Sequence, residues 1–265
     1  MRYPVDAAVV GIMLMLFLSS LWPLLFDFPW WFLLPYALVI LLFKNAALAA
    51  QHNHAHLKVF RSGWLNFLYD TLLTQLTGYS TPEWELQHAR GHHVQYLEPG
   101  KDLTSPVTPE GKTLGLWGFA WQGTRQVFAE ARQIARQDRQ RGRYKSSRRL
   151  YGHLAIQVMI SLFLLAYNFP MALLFFVGSN LVNRFALWWG TYWQHVNAPG
   201  NTVYEASNTT THRWLNMLTF NNGYHTAHHE QPGLHWSLLP ARTRRIQHLI
   251  PERCLRADVN FHLDQ

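Results

Sequence analysis

Fifteen histidines are unevenly distributed in this 265-residue chain, and three groups have spacings that metal-ligand sets use. His52 and His56 are four residues apart, which places both imidazoles on one face of a helix. A second group repeats this step and adds a neighbour about 100° further round the helix. In a third group two histidines are three residues apart and another follows directly. One more histidine precedes this third group in the chain. The candidate ligands are His52, His56, His88, His92, His93, His195, His225, His228 and His229.

The number and type of these residues limit the kind of metal site. Neutral imidazole binds iron, zinc and copper, so the ligand type alone does not select the metal. A catalytic zinc usually takes three protein ligands, whereas nine histidines are enough for two ions. The only cysteine, Cys254, excludes an intrachain disulfide, a CxxC redox pair and a thiolate cage. We therefore predict a histidine site for two metal ions.

Four apolar segments must position these histidines. Residues 8–26, 30–50, 150–167 and 171–192 each have about 20 residues, enough to cross roughly 30 Å of hydrocarbon as a helix. The sequence predicts an all-α integral membrane protein with four transmembrane helices in two hairpins. His52 follows the second span and His195 the fourth, so both are expected at the same membrane surface. We predict one domain over residues 1–265, in which a helical cap of residues 51–149 and 193–265 holds the histidines.

The formal charge of +8 indicates an orientation rather than a nucleic-acid partner. The basic residues are concentrated between positions 51 and 150, and no nucleic-acid-binding motif accompanies them. The positive-inside rule places both termini and the histidines in the cytoplasm. Arginines at helical spacing also predict an amphipathic helix on the bilayer surface, or a docking face for an acidic electron carrier. These arginines are Arg132, Arg136, Arg139 and Arg143.

Other polar residues have less specific roles. Lys44, near the end of the second span, is expected to extend its ammonium group to the membrane surface. Arg184, in the fourth span, either contacts a polar group of the substrate or closes a helix interface. His54 points away from the neighbouring candidate ligands. Candidates to orient ligand imidazoles through the second ring nitrogen are Asp70, Glu85, Asp102, Asn197, Asn221 and Glu230.

Three histidine boxes beside four apolar spans resemble the membrane-bound fatty acid desaturase and alkane hydroxylase superfamily, over residues 52–240. The second box, residues 87–94 (QHARGHHV), resembles that of alkane hydroxylases, although those usually begin with Glu. The third box is more similar to that of lipid desaturases, and the Glu-His-Tyr-Gly motif of alkane hydroxylases is absent. These features favour the desaturase branch. The residues after the third box that carry this similarity are Pro232, Trp236, Leu239 and Pro240.

The resemblance implies that the nine histidines bind two non-haem iron ions and that O2 is a co-substrate. We expect an oxidoreductase that introduces a C=C bond into the acyl chain of a membrane lipid or fatty acid. The same site would also suit a hydroxylase, monooxygenase or ketolase acting on an alkane, lipid or carotenoid. A non-catalytic membrane protein that binds or transports metal is a further alternative.

Electrons must come from outside the chain, because it has no cysteine cluster and no GxGxxG fingerprint. The resemblance therefore implies a ferredoxin, rubredoxin or cytochrome partner. The expected location is a bacterial inner membrane. The sequence does not specify an oligomeric state.

Overall fold

The computed structural model describes residues 1–198 and 202–257, so two parts of the predicted cap, 199–201 and 258–265, lie outside the described residues. The described chain is mostly helical. Its α-helices are α1 (Asp6–Leu25), α2 (Trp30–His56), α3 (Gly63–Thr77), α4 (Thr81–Trp84), α5 (His93–Gln95), α6 (Leu116–Gln140), α7 (Lys145–Tyr167), α8 (Phe169–Ala172), α9 (Ser179–His195), α10 (Arg213–Leu218), α11 (His225–Glu230) and α12 (Leu239–Ile246).

The remaining elements are short. The described residues include two π-helices, at Glu85–His92 and Leu173–Gly178. The two-residue strands β1 (Thr209–Thr210) and β2 (Leu255–Arg256) pair in parallel. Single 3₁₀ turns lie at Trp236–Leu238, Gln247–Leu249 and Glu252–Cys254.

Within the described residues, four helical stretches are long and apolar enough to cross a membrane, as the sequence predicts. They are Asp6–Leu25, Trp30–His56, Lys145–Tyr167 and Phe169–His195. The second continues unbroken to His56, so the first histidine pair lies on the end of a span. Trp31, Leu42 and Phe163 are 78%, 71% and 68% exposed, respectively. A helix that contacts lipid exposes large apolar side chains over a whole face.

The fourth stretch is not a uniform α-helix, and this changes the environment of Lys44. The π-helix Leu173–Gly178 joins α8 to α9. Lys44 of α2 is completely buried beside it, and its ammonium group donates to the carbonyl of Phe175 (2.6 Å) and the hydroxyl of Ser179 (2.7 Å). The prediction that Lys44 extends to the membrane surface is wrong. Oxygen atoms inside the bundle replace water around its charge.

Arg184 of α9 closes a helix interface, which is one of its two predicted roles. Its guanidinium group donates to the carbonyl of Gly78 (2.7 Å), pairs with Glu83 (2.9 Å) and lies over the ring of Tyr79. Gly78 ends α3 with a φ of +79°, and an added Cβ there would lie 2.8 Å from the Cβ of Asn180. Glycine is required at such a point, because it adopts the left-handed conformation readily and has no side chain to collide with Asn180. The chain then turns into α4 and the first π-helix.

The predicted amphipathic helix is present as α6 and carries Arg132, Arg136 and Arg139, but it ends before Arg143, and its apolar face packs against protein. It contacts α9 and the first π-helix. Gly123 allows the closest approach, because an added Cβ would lie 2.1 Å from the ring of Trp188. Trp117 remains exposed near the start of α6. The buried residues recur every three or four positions and include Phe119, Gly123, Val127, Ala131 and Ala135.

Candidate metal centre

All nine predicted histidines meet in one layer, in which seven are buried and His56 and His93 are half-buried, although they come from four separate parts of the chain. The end of α2 supplies two, and the first π-helix with the start of α5 supplies three. The last residue of α9 supplies one, and α11 supplies three. In chain order they are His52 and His56, then His88, His92 and His93, then His195, and finally His225, His228 and His229.

A first cluster consists of His52, His56, His88 and His228, each with one ring nitrogen within 4.8 Å of those of the others. The Nε2 atoms of His52 and His88 are 2.8 Å apart. His56 Nε2 is buried without a hydrogen-bond partner among the described residues. Imidazole nitrogens gathered in this way have room for a shared cation.

A second cluster consists of His92, His195, His225 and His229, which meet the same 4.8 Å limit and are all buried. Their Nε2 atoms form a chain: His92 to His229 at 3.2 Å, His229 to His225 at 3.1 Å and His225 to His195 at 3.2 Å. Two ligands at right angles, each about 2.1 Å from one ion, have nitrogens about 3.0 Å apart. The observed spacings therefore fit metal ligation.

His93 lies between the clusters. Its Nε2 atom is 3.2 Å from that of His88 and 3.1 Å from that of His228, and its ring stacks on His229 with centroids 4.5 Å apart. His88 and His92, four residues apart, belong to different clusters. The segment that carries them is a π-helix, whose turn is wider than that of an α-helix. Their rings are still neighbours, with centroids 5.2 Å apart, so the four-residue step brings them together without placing them in one cluster.

Contacts to the second ring nitrogen orient two histidines of the second cluster. His92 Nδ1 lies 2.8 Å from Asp102 and 2.5 Å from the hydroxyl of Thr104. His195 Nδ1 donates to the carbonyl of Ala206 at 3.0 Å. These bonds direct Nε2 into the cluster and fix the tautomer that binds metal. Asp102 was among the sequence candidates, but nothing in the sequence pattern indicated Thr104.

The other five candidates for this orienting role make different contacts. Asp70 and Glu85 form an ionic network with Lys58 and Arg149, in which Asp70 also contacts His54. His54 is fully buried and accepts from the backbone of Val59, away from the ligand clusters as predicted.

The remaining three also lie apart from the ligand imidazoles in the described contacts. Glu230 pairs with Arg242, Asn221 donates to the carbonyl of Trp236, and Asn197 is exposed.

Burial keeps the clustered imidazoles in the form that binds metal. It lowers the pKa of His88, His225, His228 and His229 well below the usual value, and repulsion from neighbouring imidazoles lowers it further. The same causes lower the pKa of His93 to about 2. At neutral pH these rings are uncharged, with lone pairs available.

Asp102 remains charged in this setting. Burial alone would raise its pKa, but the charge and hydrogen bond of His92 and the backbone N–H groups of Thr104 and Leu97 lower the pKa to about 2. A buried carboxylate thus lies directly behind the second cluster. It supplies negative charge next to His92.

A cavity of about 240 Å³ adjoins both clusters. Four histidines form part of its wall: His52, His88, His92 and His195. Leu48 and Ala49 of α2 face side chains of α9 across it, and the lining is mainly apolar. A bound molecule in this cavity would place apolar groups beside the clustered nitrogens.

The comparisons with known proteins agree with this arrangement. A protein-family model described as fatty acid desaturase matches residues 28–259, a range that contains all nine histidines. No curated protein matches the chain.

Proposed function

Because this chain belongs to the fatty acid desaturase family, we propose that it is a membrane di-iron enzyme that introduces a C=C bond into an acyl chain. The observation that carries the proposal is the convergence of nine histidines beside an apolar cavity, eight of them in two adjoining clusters and His93 between the clusters. A membrane metal transporter would instead need ionisable residues along a path through its spans.

The nine histidines are the proposed iron ligands. The first cluster and His93 would hold one ion, and the second cluster would hold the other. Imidazole suits iron, and four or five neutral nitrogens per ion leave a position open for a co-substrate. Two bound irons would supply the reductive activation of O2 that cleavage of an unactivated C–H bond requires.

The protein's own contribution is to place the substrate and exclude water. An acyl chain in the cavity would lie against Leu48, Ala49 and the buried ring of Trp188, with the four wall histidines beside it. Trp84 stacks on His88 with ring centroids 5.2 Å apart and holds that imidazole towards the cavity. The Asp102 contact fixes His92 in the same way. Rigid placement of both partners lowers the entropic part of the barrier.

The proposal also covers the surroundings of the enzyme. We place it in a membrane with both termini and the histidines on the cytoplasmic side, as the basic residues outside the spans favour. Its single domain would receive electrons from a separate ferredoxin, rubredoxin or cytochrome, since one cysteine cannot hold an iron–sulfur cluster.

The test combines metal counting with product analysis. We expect about two irons per chain after anaerobic reconstitution, and unsaturated acyl chains when a reducing partner and O2 are supplied. His228→Ala and His229→Ala should each lower the iron content, because each removes a ligand from a different cluster. His248→Ala is the matched control, since His248 is exposed and belongs to neither cluster.

Three results would contradict the proposal: zinc as the sole metal, unchanged iron in both ligand variants, or no oxidised acyl product from the reconstituted protein. An oxygenated product without an alkene would assign the chain to hydroxylation at the same centre. That outcome would match the resemblance of its second box to alkane hydroxylases.

A further inference from the structure

The cavity beside the histidines has two chemically different ends. At one end lie Asn45, seven residues before His52 on α2, and Trp189, six residues before His195 on α9. At about 1.5 Å per residue, these positions are roughly 10 Å back along the spans from the metal-binding layer. This end therefore lies at the level of the membrane-spanning segments.

The spanning end opens onto the outer surface of the helices. Asn45 and Trp189 are both exposed, and the residues just before Asn45 include Leu42 and Phe43, which are 71% and 53% exposed. Such apolar faces contact lipid in a membrane protein. An acyl chain can therefore pass between α2 and α9 into the bilayer without crossing water.

The other end is polar and lies beyond the ends of both spans. The pairing of β1 with β2 places Arg256 beside Thr210, and Thr210 binds the backbone of Gly223. Asn208 ties this segment to the end of α9 by donating to the carbonyl of Val196. Cavity residues at this end include Thr210, Thr219, Asn222, Gly223 and Arg256.

Two polar atoms at this end are buried without partners. Nε of Arg256 and the side-chain oxygen of Asn222 have no hydrogen-bond partner within residues 1–198 and 202–257. Within the same residues Arg256 makes no ion pair, whereas Arg253 nearby pairs with Glu205. Buried polar groups normally have partners, so these two need one from outside the described chain. A guanidinium group prefers the oxygens of a carboxylate or phosphate.

We propose that the cavity binds a single-chain acyl amphiphile whose anionic head group contacts Arg256 and Asn222 and whose chain passes the four wall histidines towards the bilayer. A half-turn of the Asn222 amide would present its NH₂ group to the head group. A volume of about 240 Å³ holds part of one chain rather than two. The inference rests on the proposed function and specifies its substrate class.

The experiment measures binding to the metal-free protein in lipid nanodiscs, so it requires neither iron nor an electron donor. The probes are palmitate, hexadecyl phosphate and hexadecanol, which share one chain length. We expect at least one anionic probe to bind about tenfold or more tightly than hexadecanol, as a charge-assisted hydrogen bond of 1.5–3 kcal/mol predicts. A preference for palmitate assigns a carboxylate head group, and a preference for hexadecyl phosphate assigns a phosphate.

Arg256→Gln should remove the preference for the anionic probes and leave hexadecanol binding unchanged, which also shows that the cavity is intact. Arg256→Lys should restore part of the preference. Arg253→Gln is the control, because Arg253 is 59% exposed and does not line the cavity. Equal binding of the three probes to the unmodified protein would overturn the proposal. So would an Arg256→Gln variant that keeps the preference, or one that loses hexadecanol to the same extent.

The route to the bilayer has its own variant. Gly190 lines the cavity, and an added Cβ there would meet no atom within 4 Å, so the side chain of Gly190→Leu has room to project into the spanning end. We expect it to weaken all three probes at least tenfold. Gly152→Leu, at an equally open position on α7, should change none of them. Unchanged binding in Gly190→Leu would reject the passage between α2 and α9.

Discussion

Replacing Asp102 by Asn tests the division of the histidines into two clusters. Asp102 is buried and accepts four hydrogen bonds: from His92 (2.8 Å), from the backbone and hydroxyl of Thr104 (both 2.8 Å), and from the backbone of Leu97 (2.6 Å). An amide can keep its oxygen towards only one pair of these donors. The other pair would then face an NH₂ group.

The size of the expected effect on metal binding follows from the loss of these hydrogen bonds. Each hydrogen bond to the charged carboxylate contributes about 1.5–3 kcal/mol, but rotation of the Thr104 hydroxyl recovers part of it. Loss of a contact that orients a ligand imidazole typically weakens metal binding 10- to 100-fold. That corresponds to about 1.4–2.7 kcal/mol. Only the second cluster contains His92, so only one of the two ions should be affected.

The assay is an anaerobic titration of metal-free protein with Fe(II) in the presence of a competing chelator. The unmodified protein should bind two ions tightly, whereas Asp102→Asn should bind one with unchanged affinity and one 10- to 100-fold more weakly. Asp138→Asn is the matched control, because Asp138 is equally buried but pairs with Arg90 and Arg143 instead of a histidine. Equal weakening of both ions, or the same loss in the control, would refute the assignment.

Three further substitutions test the packing and charges around the site. Gly123→Ala should lower the free energy of unfolding by about 1–3 kcal/mol, because the new Cβ would lie 2.1 Å from the Trp188 ring. An unchanged denaturation midpoint would contradict the tight α6–α9 contact. Lys44→Met should lower the free energy of unfolding by about 1–3 kcal/mol, because it leaves acceptors such as the Phe175 carbonyl without their donor. Thermal denaturation in mild detergent measures the change. A more stable variant would show that burying the charge of Lys44 costs more than its hydrogen bonds contribute. Burial, with repulsion from a nearby carboxylate, raises the pKa of Glu130 from 4.5 to about 7, so the folded protein loses stability as pH rises from about 4.5 to 7. Glu130→Gln should therefore stabilise the metal-free protein at pH 8 by up to about 3 kcal/mol, and this gain in stability should disappear towards pH 4.5. A gain in stability that does not depend on pH would exclude the Glu130 carboxyl as its source.

The histidine boxes and the spans could be predicted from the sequence because both are local patterns. A four-residue step places His52 and His56 on one helical face wherever that helix lies. The length of an apolar run similarly indicates a spanning helix before any packing is known, and the described part of the chain has four such helices. The same reasoning indicated that histidines after the second and fourth spans would meet.

Tertiary packing decided which histidines share a cluster. The sequence treated the second box as α-helical, but α6 packs against this segment and the chain there forms a π-helix. His88 and His92 keep their ring centroids 5.2 Å apart but belong to different clusters, and His93 lies between them. The four-residue step predicts that two rings are neighbours, but which imidazoles of α2, α9 and α11 each ring faces depends on how those helices pack in the folded protein.

The polar groups show the same division between sequence and structure. The sequence located Lys44, Arg184 and Asp102 but did not show which atoms would surround them. Each contacts a group distant in the sequence or held by a loop: the Phe175 carbonyl, the Gly78 carbonyl and His92, respectively. Spacing along the chain determines which side chains one helix can present together. The partners of a buried charge depend on which backbones come within about 3 Å in the folded protein, and only the tertiary structure shows that.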